Sequence, residues 1–215
     1  MKENIIMDKD LAYMIGAINS DGCIYFFNNK KRNMIIARLE FTIGAKSMPM
    51  LEKVQDVLLE HFKKRTTIQV RNYKNSYALH TSINRHLTAF LSWEDYKIPA
   101  EIKSDAYLFG AYLAGLIDGD GYVKTKHNID RKRPQSVIKI ASDRPLEGIS
   151  TLIQKYAACK VHFEHNKKNK GVQTCFYVTK KNAKFLKDCV LPNLAITHKI
   201  EALSNMLKDY EPARI

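Results

Sequence analysis

The chain has 215 residues, 45% hydrophobic and 27% charged, a balance that excludes a disordered tail or a fibrous repeat. No apolar run reaches the roughly 18 residues of a membrane-spanning helix, and MKENIIMDKD lacks the apolar stretch of a secretion signal, so the expected location is intracellular: cytoplasm, nucleoid or an organelle. Thirty-five Lys and Arg against 22 Asp and Glu leave a net charge of +13, which calls for nucleic acid as a partner rather than a membrane, since no basic amphipathic helix or terminal polybasic cluster stands out.

An internal repeat organises the chain. Residues 11–25, LAYMIGAINSDGCIY, align with 110–124, GAYLAGLIDGDGYVK, so that Gly16 pairs with Gly115, Asp21 with Asp120 and Gly22 with Gly121, each 99 positions apart. The first copy predicts a helix ending at Asp21, a strand to about Lys30, a charged turn from Asn28 to Asn33, and a second strand, MIIARLEFTIG, with β-branched and aromatic residues at alternate positions. A helix is expected from Ser47, which is placed to cap it, with Leu51, Val54, Leu58 and Leu59 as its apolar stripe. TTIQVRNYKNSYALHTSI then reads as a strand pair turned at Lys74 and Asn75, followed by a short helix around Arg85 to Leu91. The second half repeats the order: strand at 122–128, basic turn at 130–134, strand at 135–142, helix at 145–158, strands near 160–166 and 172–179, and helices from about 182 and 197. SWEDYKIPAEIKSD, with Pro99, reads as the linker, giving expected domains of 1–100 and 101–215.

In the first repeated helix Ala12, Gly16 and Ser20 recur every four residues, as do Ala111, Gly115 and Gly119 in the second. Glycine inside a helix costs roughly 0.5–1 kcal/mol relative to alanine, and close packing of the two smooth faces supplies the compensation. The halves are therefore expected to meet helix against helix about a pseudo-twofold axis, while Ala17, Ile18, Leu116 and Ile117 pack the helices on their own sheets. Gly22 and Gly121 read as left-handed helix stops. The aspartates before them stand at the negative ends of helix dipoles. Brought together, they repel and form an oxygen-ligand site for a hard divalent cation, which suits phosphodiester hydrolysis. Cys23, Cys159, Cys175 and Cys189 lack zinc-site spacing and read as buried reduced thiols.

LAGLIDGDG at 113–121 matches, with Gly119 for alanine, the nine-residue motif of the LAGLIDADG homing endonucleases, and MIGAINSDG at 14–22 is a looser copy. Both motifs, the repeat and the length make the chain resemble the single-chain, two-motif, monomeric members over nearly its whole extent. The resemblance implies an α+β fold of two pseudosymmetric αββαββα halves joined by packed motif helices, with antiparallel sheets forming a saddle over double-stranded DNA. It implies a site-specific endonuclease, intron-encoded, that recognises a long asymmetric duplex and makes a metal-dependent double-strand break with 3′ overhangs. It also implies Asp21 and Asp120, with Gly22 and Gly121 beside them, as the Mg²⁺ site, with Mn²⁺ as a substitute. Basic residues flank the metals in the family, and Lys97 in YKIP and Lys199 in THKIEAL are the candidates. The first copy departs from the motif at Asn19 and Ser20 but keeps Asp21, so both strands are expected to be cut. The alternative is an RNA-binding maturase that assists splicing of its own intron RNA; the two retained aspartates argue against a purely binding protein.

Strand side chains alternate between core and saddle. Counting from the aspartates assigns Tyr25, Phe27, Asn29 and Lys31 to the DNA face of the first half, and Lys124, Lys126 and Asn128 to that of the second. On the second strands Arg38, Glu40 and Thr42 match Gln135 and Lys139, while Leu39, Phe41, Ile138 and Ile140 fill the core. The third strands add Gln69 and Arg71 against His162 and Glu164. This mixture of donors and acceptors suits base-edge reading in the major groove. Basic turns, Arg131 and Arg133 among them, suit phosphate contact.

Overall fold

The computed structural model describes residues 6–29, 33–71, 75–83, 98–126, 135–143, 145–165 and 171–210. In the first half, helix α1 (Lys9–Asp21) leads without a loop into β1 (Gly22–Asn29), followed by β2 (Met34–Gly44), α2 (Met48–Phe62), β3 (Ile68–Arg71) and β4 (Ser76–Ile83). A short helix α3 (Ala100–Ser104) precedes the second motif helix α4 (Ala106–Asp120). Then come β5 (Gly121–Lys126), β6 (Gln135–Ser142), α5 (Glu147–Ala157), β7 (Val161–His165), β8 (Val172–Tyr177), α6 (Lys180–Phe185), a π-helical turn (Leu186–Val190) and α7 (Thr197–Lys208). Expected helix 85–91 lies outside the described residues. No helix among the described residues is long and apolar enough to cross a membrane.

Each half contributes one four-stranded antiparallel sheet, ordered β1-β2-β4-β3 and β5-β6-β8-β7. The register fixes the two faces. Ile24 opposes Leu39, and Phe41 opposes Leu79, so these residues share the core face; Val123 opposes Ile138, which opposes Phe176, on the core face of the second sheet. Leu39, Phe41, Ile138 and Ile140 are buried as expected, as are Leu51, Val54 and Leu58 of α2; Leu59 is exposed. The opposite parity carries Tyr25, Phe27, Arg38, Glu40, Thr42, Gln69 and Arg71 in one half, and Lys124, Gln135, Lys139, His162 and Glu164 in the other.

The helix starts follow from local chemistry. Asp8 accepts the Leu11 N–H at 2.9 Å, and Asp105 accepts those of Tyr107 and Leu108 at 2.7 and 2.9 Å, so both motif helices have acidic N-caps that satisfy otherwise unpaired first-turn donors. Ser47 makes no side-chain cap to α2. A 3₁₀ turn (Ala45–Ser47) and Pro49 in the first turn start that helix instead.

The glycines after the motif helices differ from expectation. Gly22 and Gly121 are extended, with φ of −83° at both, whereas the left-handed stops fall on Lys63 and Ala158, after α2 and α5. The reason for glycine is close approach. The chain folds directly from helix to strand, so a Cβ at Gly22 would lie 2.6 Å from the Ile18 Cα, and one at Gly121 2.3 Å from the Ile117 carbonyl oxygen.

Candidate metal and nucleic-acid site

The motif helices pack backbone against backbone. A Cβ on Gly16 would stand 2.1 Å from the Tyr112 carbonyl oxygen, one on Gly115 2.2 Å from that of Tyr13, and one on Gly119 1.9 Å from Ser20 Oγ. Successive small residues of one helix therefore meet successive turns of the other, start beside start and end beside end. Ala12 and Ala111, four residues before Gly16 and Gly115, are fully buried. Ser20 closes it by donating to the carbonyls of Gly16 and Ala17, with Gly115 at 3.4 Å across the interface.

This seam brings the two carboxylates together at the end of the helix pair, where α1 passes into β1 and α4 into β5. The Asp21 carboxyl carbon lies 3.4 Å from where a Gly119 Cβ would sit, one residue before Asp120. Withdrawal from water and then the Asp120 charge push the Asp21 carboxyl up to about 6, with Lys199 opposing. Asp120 is raised by desolvation and opposed by the same lysine. Among the described residues no group of three or more His, Cys, Asp and Glu could hold a metal. The protein's side chains therefore offer a divalent ion two carboxylates, and the like charge between them supplies the demand for a cation.

Lys199 is 8% exposed. Its ammonium donates to the carbonyl oxygens of Ile117 and Asp118, both at 2.7 Å, and Gly119 at 3.3 Å. It thus caps the negative end of α4 and acts on Asp120 through the helix end that carries it. Burial lowers its pKa, and Asp118, Asp21 and Asp120 oppose that shift.

Asp118, for which the sequence alone suggests no role, is fully buried. It accepts the Tyr13 hydroxyl at 2.7 Å and the Ala195 N–H at 2.6 Å, with Ile196 N at 3.4 Å. One carboxylate therefore ties α4 to α1 and to the segment that delivers Lys199. Burial raises its pKa, against the opposing effect of these donors. Its repeat partner, Asn19, donates to the Tyr112 hydroxyl at 2.9 Å, so the departure from the motif at Asn19 keeps a helix-to-helix bond with the donor reversed. Lys53 reaches the same junction from α2, with its ammonium 3.0 Å from the Asn193 carbonyl and 4.1 Å from the Tyr13 ring centre.

On the saddle, Tyr25, Arg38, Thr42, Gln69, Arg71, Lys124, His162 and Glu164 are exposed or half-buried, whereas Lys139 is buried and paired with Glu164. Tyr122 and His80 lie on the same face. Cys23 is exposed beside Glu40 and His80, unlike the buried thiol expected; Cys175 and Cys189 are buried. Lys97, Lys31, Asn128, Arg131 and Arg133 lie outside the described residues, and Asn29 and Lys126 are described only as strand backbone.

Residues 97–207, more than half of the chain, match the family model described as homing endonuclease. No curated protein matches the chain in sequence. The fold is similar to that of I-DmoI crystallised with DNA and Ca, at a TM-score of 0.64 and 17% identity, covering 92% of this chain and 97% of that one. I-DmoI with DNA and Mn gives a TM-score of 0.60 at 17% identity, covering 85% and 96%. The LAGLIDADG homing endonuclease I-LtrWI, bound to target DNA, gives 0.53 at 14%, covering 94% and 87%. With two motif helices in one chain, two four-stranded antiparallel sheets and this match, the chain belongs to the homing endonuclease family and is a DNA endonuclease.

Proposed function

We propose that the protein cuts both strands of a long, asymmetric DNA duplex at one site, leaving 3′ overhangs, and that it acts as a monomer encoded within an intron. The observation that carries this reading is the pair of carboxylates, Asp21 and Asp120, one from each half and held side by side by the glycine seam. The two halves, 1–100 and 101–215, would each lay one sheet in a major groove, where a two-stranded ribbon fits. Their different side chains make an asymmetric target the natural one. Tyr25, Phe27, Arg38, Thr42 and Gln69 would face one half-site, and Lys124, Gln135, His162 and Glu164 the other.

Asp21 and Asp120, with the backbone of Gly22 and Gly121 beside them, would hold Mg²⁺, or Mn²⁺ in its place. The crystals of I-DmoI with DNA and Mn, and of a variant of it with target DNA and 2 mM Mg, support that choice. When bound, such an ion supplies positive charge that polarises the scissile phosphate and acidifies an attacking water. The chain's own part is to hold the carboxylates in place. Lys199 and Asp118 fix the end of α4, and the seam fixes α1 against it. Two carboxylates facing a polyanion without a cation would oppose binding, which supports a nuclease over a maturase that binds only RNA.

Incubation with a randomised duplex library in Mg²⁺, with sequencing of the new ends, tests the reading. Staggered 3′ ends at one long motif support it. Intact DNA, with intron RNA retained by folded protein, refutes it in favour of the maturase.

A further inference from the structure

Among the described residues the saddle faces of the two sheets each carry one ion pair, and the polarity is swapped. In the first sheet Arg71 Nη2 donates to Glu40 Oε1 at 2.8 Å, while the Tyr25 hydroxyl donates to the other Glu40 oxygen at 3.1 Å. The carboxylate is the inner partner, with 25% of its side chain exposed, and the guanidinium is the outer one, at 48%. In the second sheet Lys139 pairs with Glu164 and lies 3.4 Å from Gln173 Oε1. There the cation is inner, at 11%, and the carboxylate outer, at 49%. Glu40 and Lys139 are 99 positions apart, at the same place in the repeat, so one scaffold position holds an anion in one half and a cation in the other.

The consequence differs between halves. Lys139 is held inward by its partners, Glu164 and Gln173. Arg71 stands outward on edge strand β3, on the saddle face, with one N–H fixed by Glu40 and its other N–H groups without a partner among the described residues. A guanidinium is a planar fork of donors, and the major-groove acceptors that match it are guanine O6 and N7. Holding one edge of the fork on a carboxylate that is itself braced by a tyrosine removes rotational freedom before DNA arrives.

We infer that Arg71 is a specificity-determining residue that reads a guanine in the half-site under the first sheet, and that Glu40, braced by Tyr25, is its positioning residue. The inference rests on the endonuclease reading above. It also changes the part assigned to Glu40, from reading a base to aiming the arginine that does.

The test is cleavage of a randomised duplex library in Mg²⁺ by the wild type and by Arg71→Ala, Glu40→Ala and Glu40→Gln, with binding to unrelated duplex DNA measured across a salt series. The wild type should require guanine at one position of one half-site. Arg71→Ala should lose that preference roughly ten- to a hundredfold while the other positions keep theirs. Glu40→Ala should weaken the same preference while binding unrelated DNA more tightly, because a negative charge has left the saddle; a merely structural role would not move the two in opposite directions. Glu40→Gln, which can still accept from the guanidinium, should retain part of the preference. Arg71→Ala weakening binding uniformly over all sequences, with a shallower salt dependence, would mean a phosphate contact and overturn the inference. An unchanged base profile in Arg71→Ala would overturn it as well, leaving the nuclease reading intact. A folded wild type that cuts no duplex would remove both.

Discussion

The Tyr13 hydroxyl donates to the Asp118 carboxylate at 2.7 Å, and the residues that stand 99 positions from each, Tyr112 and Asn19, make the same bond between the same helices with the donor reversed. The pair of bonds locks the rotation of α1 against α4 from both sides of the seam. Asp118 adds the N–H of Ala195 and so anchors the approach to Lys199. Asp118→Ala leaves a buried hydroxyl and a backbone N–H without their acceptor, each worth about 1–3 kcal/mol. Its melting temperature should fall by several degrees, since about 2–4 °C accompany each kcal/mol at this size. Asp118→Asn keeps an acceptor and should lose less. Equal melting of both variants with wild type would show that the carboxylate holds nothing.

The glycine seam allows a harsher test. Gly115→Leu forces side-chain atoms into the Tyr13 carbonyl and Ala17 amide of the facing helix. The expected loss is about 3 kcal/mol, read as a drop of roughly 6–12 °C. Melting within a degree of wild type would contradict backbone-to-backbone packing.

The folded chain holds a proton on Asp21 up to about pH 6, against an ordinary carboxylate value of 3.8. That contribution to stability is complete below about pH 4 and is lost as pH rises through 6. Asp21→Asn should therefore melt higher than wild type at pH 7.5 without metal. The gap should close at pH 4, and narrow at pH 7.5 when Mg²⁺ is added to wild type. A gap independent of pH would place its origin elsewhere.

The pattern of elements was legible because the repeat reports itself twice. Alternation in MIIARLEFTIG assigned Arg38, Glu40 and Thr42 to the saddle and Leu39 and Phe41 to the core, as the register has them. The small-residue stripe announced the seam, since only a close approach justifies glycine inside a helix. Features that depend on distant partners were not legible. Asp118 meets Tyr13 and Ala195 from 105 and 77 positions away, and Lys199 meets the end of α4 from about 80; no local spacing encodes either. The conformation of Gly22 was misread for a related reason. Glycine after a helix serves either a left-handed stop or a tight passage into a strand, and the immediate start of β1 selects the second. Alternation places Lys139 on the saddle face without saying what else that face holds; Glu164 and Gln173 are its neighbours from two other strands.

In the proposed reaction Asp21 and Asp120 act together to cut both strands. This is tested most directly by strand-resolved cleavage of a site recovered from the library, with each strand end-labelled, comparing wild type with Asp21→Asn and Asp120→Asn in Mg²⁺, in EDTA, and for binding in Ca²⁺. Wild type should cut both strands in Mg²⁺ and neither in EDTA, neither variant should make a double-strand break, and both should bind at near-wild-type strength in Ca²⁺. Double-strand cleavage at the wild-type rate by either variant would contradict it.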